Sequence, residues 1–161
     1  MVKPAVAVTI ALALGVLSPA AAQEKFGDKR VYHTIKSDAT QIPDKEGHVL
    51  VVSETHGYDL KDGRTAVNRV ISDLVKGNGK TFGYGSVTEK DGDVLHYSFE
   101  GLVITAVDAS GKSATTSQGT WVSTGGTGKW QQRDARGTYK NAVVGPGTSF
   151  AEWEGTWQPK K

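Results

Sequence analysis

The stretch SQGTWVSTGGTGKWQQRDARGTY, Ser117–Tyr139, decides the fold. It holds two Gly-Thr-aromatic units, Gly119-Thr120-Trp121 and Gly137-Thr138-Tyr139, set 18 residues apart around a glycine-rich turn signal. The spacing continues on both sides. FEGLV at 99–103 carries Gly101, EWEGTW at 152–157 carries Gly155, and TFGYG extends the series back to Gly83. Turn signals recur at the same interval, so each period is one strand plus one turn. A glycine inside a strand marks a bend or a close approach of backbones. A belt of them at one height suits a sheet that curls into a small closed barrel, which also leaves no exposed edge.

Working outward, eight β-rich runs appear: Val31–Lys36, His48–Tyr58, Ala66–Val75, Lys80–Lys90, Asp93–Asp108, Ser113–Ser123, Ala135–Val144 and Ser149–Gln158. The signals IPDKEG, DLKDGR, KGNG, KDGD, ASGK, TGGTGK and VGPG separate them. No long helical periodicity competes. The expectation is an all-β chain, an eight-stranded antiparallel up-and-down β-barrel. Gln23–Asp28 reads as a loose leader before the first strand, and TGGTGK as a wide hairpin turn.

An even period preserves side-chain parity. Tyr97, Phe99, Val103, Trp121, Tyr139, Trp153 and Trp157 share the glycine face, which is expected to point inward. Glu100, Gln118, Arg136 and Glu154, with Thr120, Thr138 and Thr156, take the other face and are expected to meet solvent. A barrel of this size is either filled by side chains or holds one small ligand. If it is hollow, Tyr97, Trp121, Tyr139, Trp153 and Trp157 are the candidate ligand-binding residues.

The N-terminus reads as a secretory signal peptide over residues 1–22. Lys3 gives a positive n-region and Ala5–Leu17 an apolar run. Ala20-Ala21-Ala22 then offers a cleavage site before Gln23. Residues 23–161 are expected to form a single barrel domain, secreted or periplasmic. Losing the leader removes one base and no acid, so the formal charge falls from +2 to +1. That near-neutral balance offers nothing to nucleic acid or an anionic membrane. The chain has no cysteine, which excludes disulfides, a thiol nucleophile and a cysteine metal site.

Two chemical motifs compete with the barrel reading. A phosphate loop needs a glycine five residues before its Gly-Lys. Leu74 stands there for Gly79-Lys80, Gly128-Lys129 is followed by Trp130, which cannot ligand magnesium, and neither run opens a predicted helix. In HVLVVSETHGYDL, the residues His48, Glu54, His56 and Tyr58 share one face. Glu54 and His56 are weak catalytic candidates as an acid/base pair. Leu50 and Val52 lie on the same face, and which face points inward is left open. Spacing fixes no third ligand beside them, so neither a metal nor another cofactor is expected.

At GGTGKW and ARGTY the chain resembles the dirigent and allene oxide cyclase barrel superfamily. Gly125, Gly126, Thr127, Gly128, Lys129 and Trp130 match that superfamily's GGTGKF turn, with Trp for the usual Phe. Ala135, Arg136, Gly137 and Tyr139 match its Ala-Arg-Gly-aromatic strand, with Thr138 interposed and an insertion within Gln131–Asp134. The resemblance implies a calycin-like, eight-stranded antiparallel barrel with a partly apolar cavity, often trimeric. Its members bind a fatty-acid epoxide, phenoxy radicals or quinone-methide-like intermediates. No catalytic residue of the family can be placed here. QGTWVS and EGTW also resemble strands of avidin-type barrels, but there the GTW opens the barrel, whereas Gly155-Thr156-Trp157 closes this one.

Three functions are compatible with these features. The first is an exported barrel that binds a small apolar or aromatic ligand without covalent catalysis. The second is an isomerase or cyclase that holds a reactive intermediate, with Glu54 or His56 stabilising charge. The third is a noncatalytic module, a homo-oligomer whose barrel is only a scaffold.

Overall fold

The structure is a computed structural model that describes residues 24–160. The signal-peptide expectation for 1–22 lies outside them. The described residues form β1 (Glu24–Gln41), β2 (His48–Asp59), β3 (Thr65–Val75), β4 (Asn78–Thr88), β5 (Val94–Val107), β6 (Ser113–Gly126), a 3-10 turn (Gly128–Gln132), β7 (Arg133–Gly145) and β8 (Thr148–Pro159). Neighbours pair antiparallel in chain order and β1 pairs with β8, giving a closed eight-stranded up-and-down barrel.

The glycine belt lies where the period puts it. Gly101 pairs with Gly119, and Gly137 with Gly155. Aromatic rings occupy the space that these glycines leave. A Cβ on Gly137 would fall 2.7 Å from Trp121 Nε1, one on Gly83 2.7 Å from Phe99, and one on Gly57 2.5 Å from Tyr32. Trp121, Phe99 and Tyr32 pair in register with those same glycines. Each inward ring therefore leans across its neighbour's missing side chain. In so small a barrel, only glycine lets a large ring lie there without overpacking.

Outward residues also follow the parity: Glu100, Gln118, Arg136 and Glu154 are exposed. Register shifts at Thr34/Lys36, His96/Tyr97 and Val143/Gly145 fall away from the belt, so they do not disturb it. The KGNG signal closes a two-residue hairpin. Lys76 and Gly77 sit there at φ 51° and 79°, the left-handed pair that a two-residue hairpin turn requires.

One expectation is corrected. Glu24–Asp28 is not a loose leader but the first part of β1, paired with β8 from Glu24↔Trp157 to Asp28↔Trp153. Its Phe26 ring lies 5.9, 5.8 and 5.6 Å from those of Trp121, Trp130 and Trp153, mostly edge-on. The stretch is charged, and the burial of its inward residues depends on partners far along the chain. TGGTGK is the wide turn between β6 and β7, as expected. Its chain tightens into the 3-10 turn, which carries Trp130, only 3 % exposed, under the end of the barrel. Asp93 fixes this turn by accepting the Lys129 N–H at 2.9 Å, and Thr127 Oγ1 accepts the Val94 N–H at 2.8 Å.

The ring-over-glycine packing gives a direct test. Gly57→Ala places a methyl group 2.5 Å from the Tyr32 ring, with side-chain atoms alone as its nearest neighbours, and is expected to cost about 1–3 kcal/mol. Gly145→Ala, with nothing within 4 Å of its added carbon, serves as the control. Urea denaturation should lower the midpoint for the first variant and leave the second near wild type. Equal midpoints would show that the rings do not depend on the glycines.

Candidate functional site

Burial along the inward face is graded. Ala66, Leu95, Trp121 and Ala135, near the 3-10 turn, are buried, whereas Leu74, Val103, Thr115 and Ser117, toward the other end, are half-buried. The barrel is thus plugged at one end and hollow toward the other. The hollow has a volume of about 410 Å³, within the usual range for small-molecule sites. Phe26, Tyr97, Phe99, Trp121 and Trp153 form its floor. Val51, Val70, Leu74, Val103 and Val143 supply aliphatic wall, and Thr34, Ser53, Ser72, Thr115 and Thr148 add hydroxyls toward the mouth.

Of the five sequence candidates, Tyr97, Trp121, Tyr139 and Trp153 line this cavity. Trp157 does not. It points inward but lies two residues further toward the plugged end than Gly155, Phe26's partner in β8, and the Arg133 guanidinium covers its ring at 3.8 Å. Glu54 and His56 are also misplaced as catalytic groups. β2 turns Val51, Ser53 and Thr55 into the barrel, so Glu54 and His56 stand outside. There Glu54 bonds His56 at 2.7 Å and Arg69 at 2.9 Å. The His56 bond, aided by Arg69, holds the Glu54 carboxyl below its ordinary range. None of the four histidines lines the cavity.

Sequence reading missed a buried charge network at the floor. Asp59, 0 % exposed, accepts two bonds from Arg30, one of them from Nη2 at 2.8 Å, and pairs with Arg64 Nε at 3.1 Å. Arg64 also reaches Asp62 at 2.8 Å and Glu89 at 3.5 Å. Trp130 Nε1 donates to Glu89 at 3.3 Å, and Trp153 Nε1 to Asp59 at 3.4 Å. The Arg30 guanidinium lies 5.3 Å, and that of Arg64 5.0 Å, from the Trp153 ring. Burial works against the charge of Arg30, but Tyr32 and the Asp59 carboxylate outweigh it and its pKa rises. Oxygens of Asp28, Asp59 and Asp62 lie within 4.8 Å of one another. They already serve guanidinium and backbone donors, Asp28 through the N–H groups of Lys29 and Lys61.

Parity carried outward from the glycines would have exposed part of this network. Gly57 points inward, so Asp59 does too, and Arg30 shares a face with Phe26 and Tyr32. The signal was missed because each charge reads as solvent-facing without its partner, 29 residues away for Arg30 and Asp59.

Two phenols, Tyr32 and Tyr97, stand next to the network. Tyr32 accepts from Arg30 Nη1 at 3.0 Å, and Tyr97 donates to Asn68 Oδ1 at 2.5 Å. Burial, then Tyr32, pushes the Tyr97 hydroxyl well above its ordinary pKa and that of Tyr139 up to about 12. Both therefore stay protonated at neutral pH. The site combines an apolar box, neutral hydrogen-bonding groups and a set of mutually paired charges.

With this geometry in hand, comparison with protein-family models, with characterised proteins and with solved structures finds no match.

Two tests follow. Asp59→Asn leaves the buried Arg30 guanidinium without its counter-charge and is expected to cost about 3–5 kcal/mol in urea. Glu152→Gln, which removes the exposed partner of Lys29 at 3.1 Å, should cost less than about 1 kcal/mol. A small loss for both would deny the network its anchoring role. The second test concerns His48, which bonds Asp44 and, at 2.6 Å, Asp73. The Asp44 and Asp73 bonds raise the His48 pKa, and the His48 bond lowers that of Asp44. The raised histidine stabilises fully below its unfolded value of about 6.5 and loses that contribution as pH rises through the folded value. The lowered Asp44 stabilises above about 3.9 and loses it as pH falls. The gap in urea midpoint between wild type and His48→Ala should therefore be widest near pH 5 and narrow on either side. A gap independent of pH would refute the clamp.

Proposed function

We propose that this protein is an exported β-barrel that carries a small apolar or aromatic molecule in its interior, without covalent catalysis. The observation that carries the reading is the 410 Å³ cavity. It is plugged at one end by Trp130 and the Arg30–Asp59 network and floored by aromatic rings. A chain that needed its barrel only as scaffold would gain stability by filling that space, since empty apolar volume costs packing energy. The seven-residue polar face of the belt and the near-neutral charge after loss of residues 1–22 fit a soluble carrier. The GGTGKW and ARGTY motifs support placing it beside the dirigent and allene oxide cyclase barrels. An isomerase or cyclase reading loses Glu54 and His56, which stand outside the barrel.

Native mass spectrometry of the protein purified from its source tests this. The expected species is a chain starting at Gln23 with a small adduct that leaves on denaturation. Equilibrium dialysis of the stripped protein against naphthalene should then show saturable binding of about one molecule per barrel. A bare chain that also fails to take up naphthalene would overturn the reading.

A further inference from the structure

Among the described residues, two buried side-chain atoms have no hydrogen-bond partner: Tyr139 Oη and Asn141 Oδ1. Both residues line the cavity. They stand two apart on β7, so they share its inward face about 7 Å apart along the strand. Buried polar atoms are almost always paired, because leaving one unpaired costs the loss of its hydration. The Tyr139 hydroxyl reaches over Gly101 of β5, 2.5 Å from where a Cβ on that glycine would stand, while Asn141 is on β7, so the two atoms mark two points on one cavity wall where something else completes the bonding.

We infer that the barrel selects a neutral, flat molecule whose polar edge presents a donor beside an acceptor, as in a carboxamide or lactam. The inference rests on the reading that the cavity holds a ligand. Three observations narrow the class. First, the carboxamide of Asn141 presents one donor and one acceptor whichever way it is turned, so its natural complement is another amide edge. The Tyr139 hydroxyl stays protonated and adds a second donor or acceptor. Second, the cavity offers no free charge. Arg30 is bound to Asp59 and Tyr32, and Arg64 to Asp59, Asp62 and Glu89, so a carboxylate or ammonium would lose its hydration without gaining a counter-ion. Third, the ring of Phe99 stands edge-on to Tyr139 at 6.1 Å. The apolar body of the ligand therefore meets aromatic faces while its edge reaches β7.

The test is equilibrium dialysis with three probes of one shape: naphthalene, 2-naphthamide and 2-naphthoate. 2-Naphthamide should bind about tenfold or more tightly than the other two, because a site that hydrogen-bonds its ligand rejects the analogue that cannot answer. Asn141→Leu should erase that preference and leave naphthalene binding intact. Tyr139→Phe should reduce it in part. Neither variant loses a protein hydrogen bond, so both should melt at or above the wild-type temperature without ligand, which separates a binding role from a structural one. Equal affinity for naphthalene and 2-naphthamide would mean that water serves the two atoms, overturning this inference while the carrier reading stands. Tightest binding of 2-naphthoate would overturn it by revealing a free cation. No binding of any probe would remove the carrier reading as well.

Discussion

The barrel depends on rings laid across glycines. An eight-stranded barrel has an interior about wide enough for side chains to fill, yet this one must accommodate Trp121, Tyr97, Phe99 and Tyr32. It does so by giving up side chains on the neighbouring strands, at Gly137, Gly83, Gly85 and Gly57. The same exchange bends the strands enough to close and concentrates aromatic volume in one half. The other half, lined by valines, serines and threonines, stays hollow. Plug and cavity are therefore two results of one packing arrangement.

The charge network follows from that arrangement. Beneath the rings, Asp59 is held away from water, where a lone carboxylate could not remain ionised. Arg30 and Arg64 come from separate positions to neutralise it, and the indoles of Trp153 and Trp130 donate to the carboxylates of the network. A buried ion pair is weak evidence of stability, since well-packed apolar groups often do as well. Its effect here is on register: Arg30 and Asp59 can meet only if β1 and β2 are aligned as they are.

Much of this was legible because the repeat is 18 residues, an even number. Parity survives each turn, so one strand's orientation fixes the others, and the belt residues from Tyr97 to Trp153 could be assigned inward from sequence. β1 was only half legible. Glu24–Arg30 has no copy of the repeat, and its inward residues include an arginine whose burial depends on Asp59. The face of β2 was ambiguous for a related reason: Val49, Leu50, Val51 and Val52 are apolar on both sides, and only pairing with β1 and β3 decides between them. Trp130 was unreadable as a plug because its position is set by hydrogen bonds that Thr127 and Asp93 accept, which hold a turn rather than continue a pattern. The orphaned atoms of Tyr139 and Asn141 belong to the site but carry no sequence signature, since an unpaired group is visible only once all its neighbours are known.

The seam between β1 and β8 has a consequence for how the molecule comes into being. Every other strand pairs with its predecessor and can zip up locally. The Glu24–Trp157 pairing joins opposite ends of the ordered chain, so a loop of well over a hundred residues must close before it forms. Contacts of that range make folding slow. Phe26, the ring that touches three tryptophans, belongs to the strand that arrives first and finds its partner last. Until β8 is in place, the floor lacks Trp153 and two sheet edges lie bare. The nascent chain is thus most vulnerable to aggregation at the moment before its last strand docks.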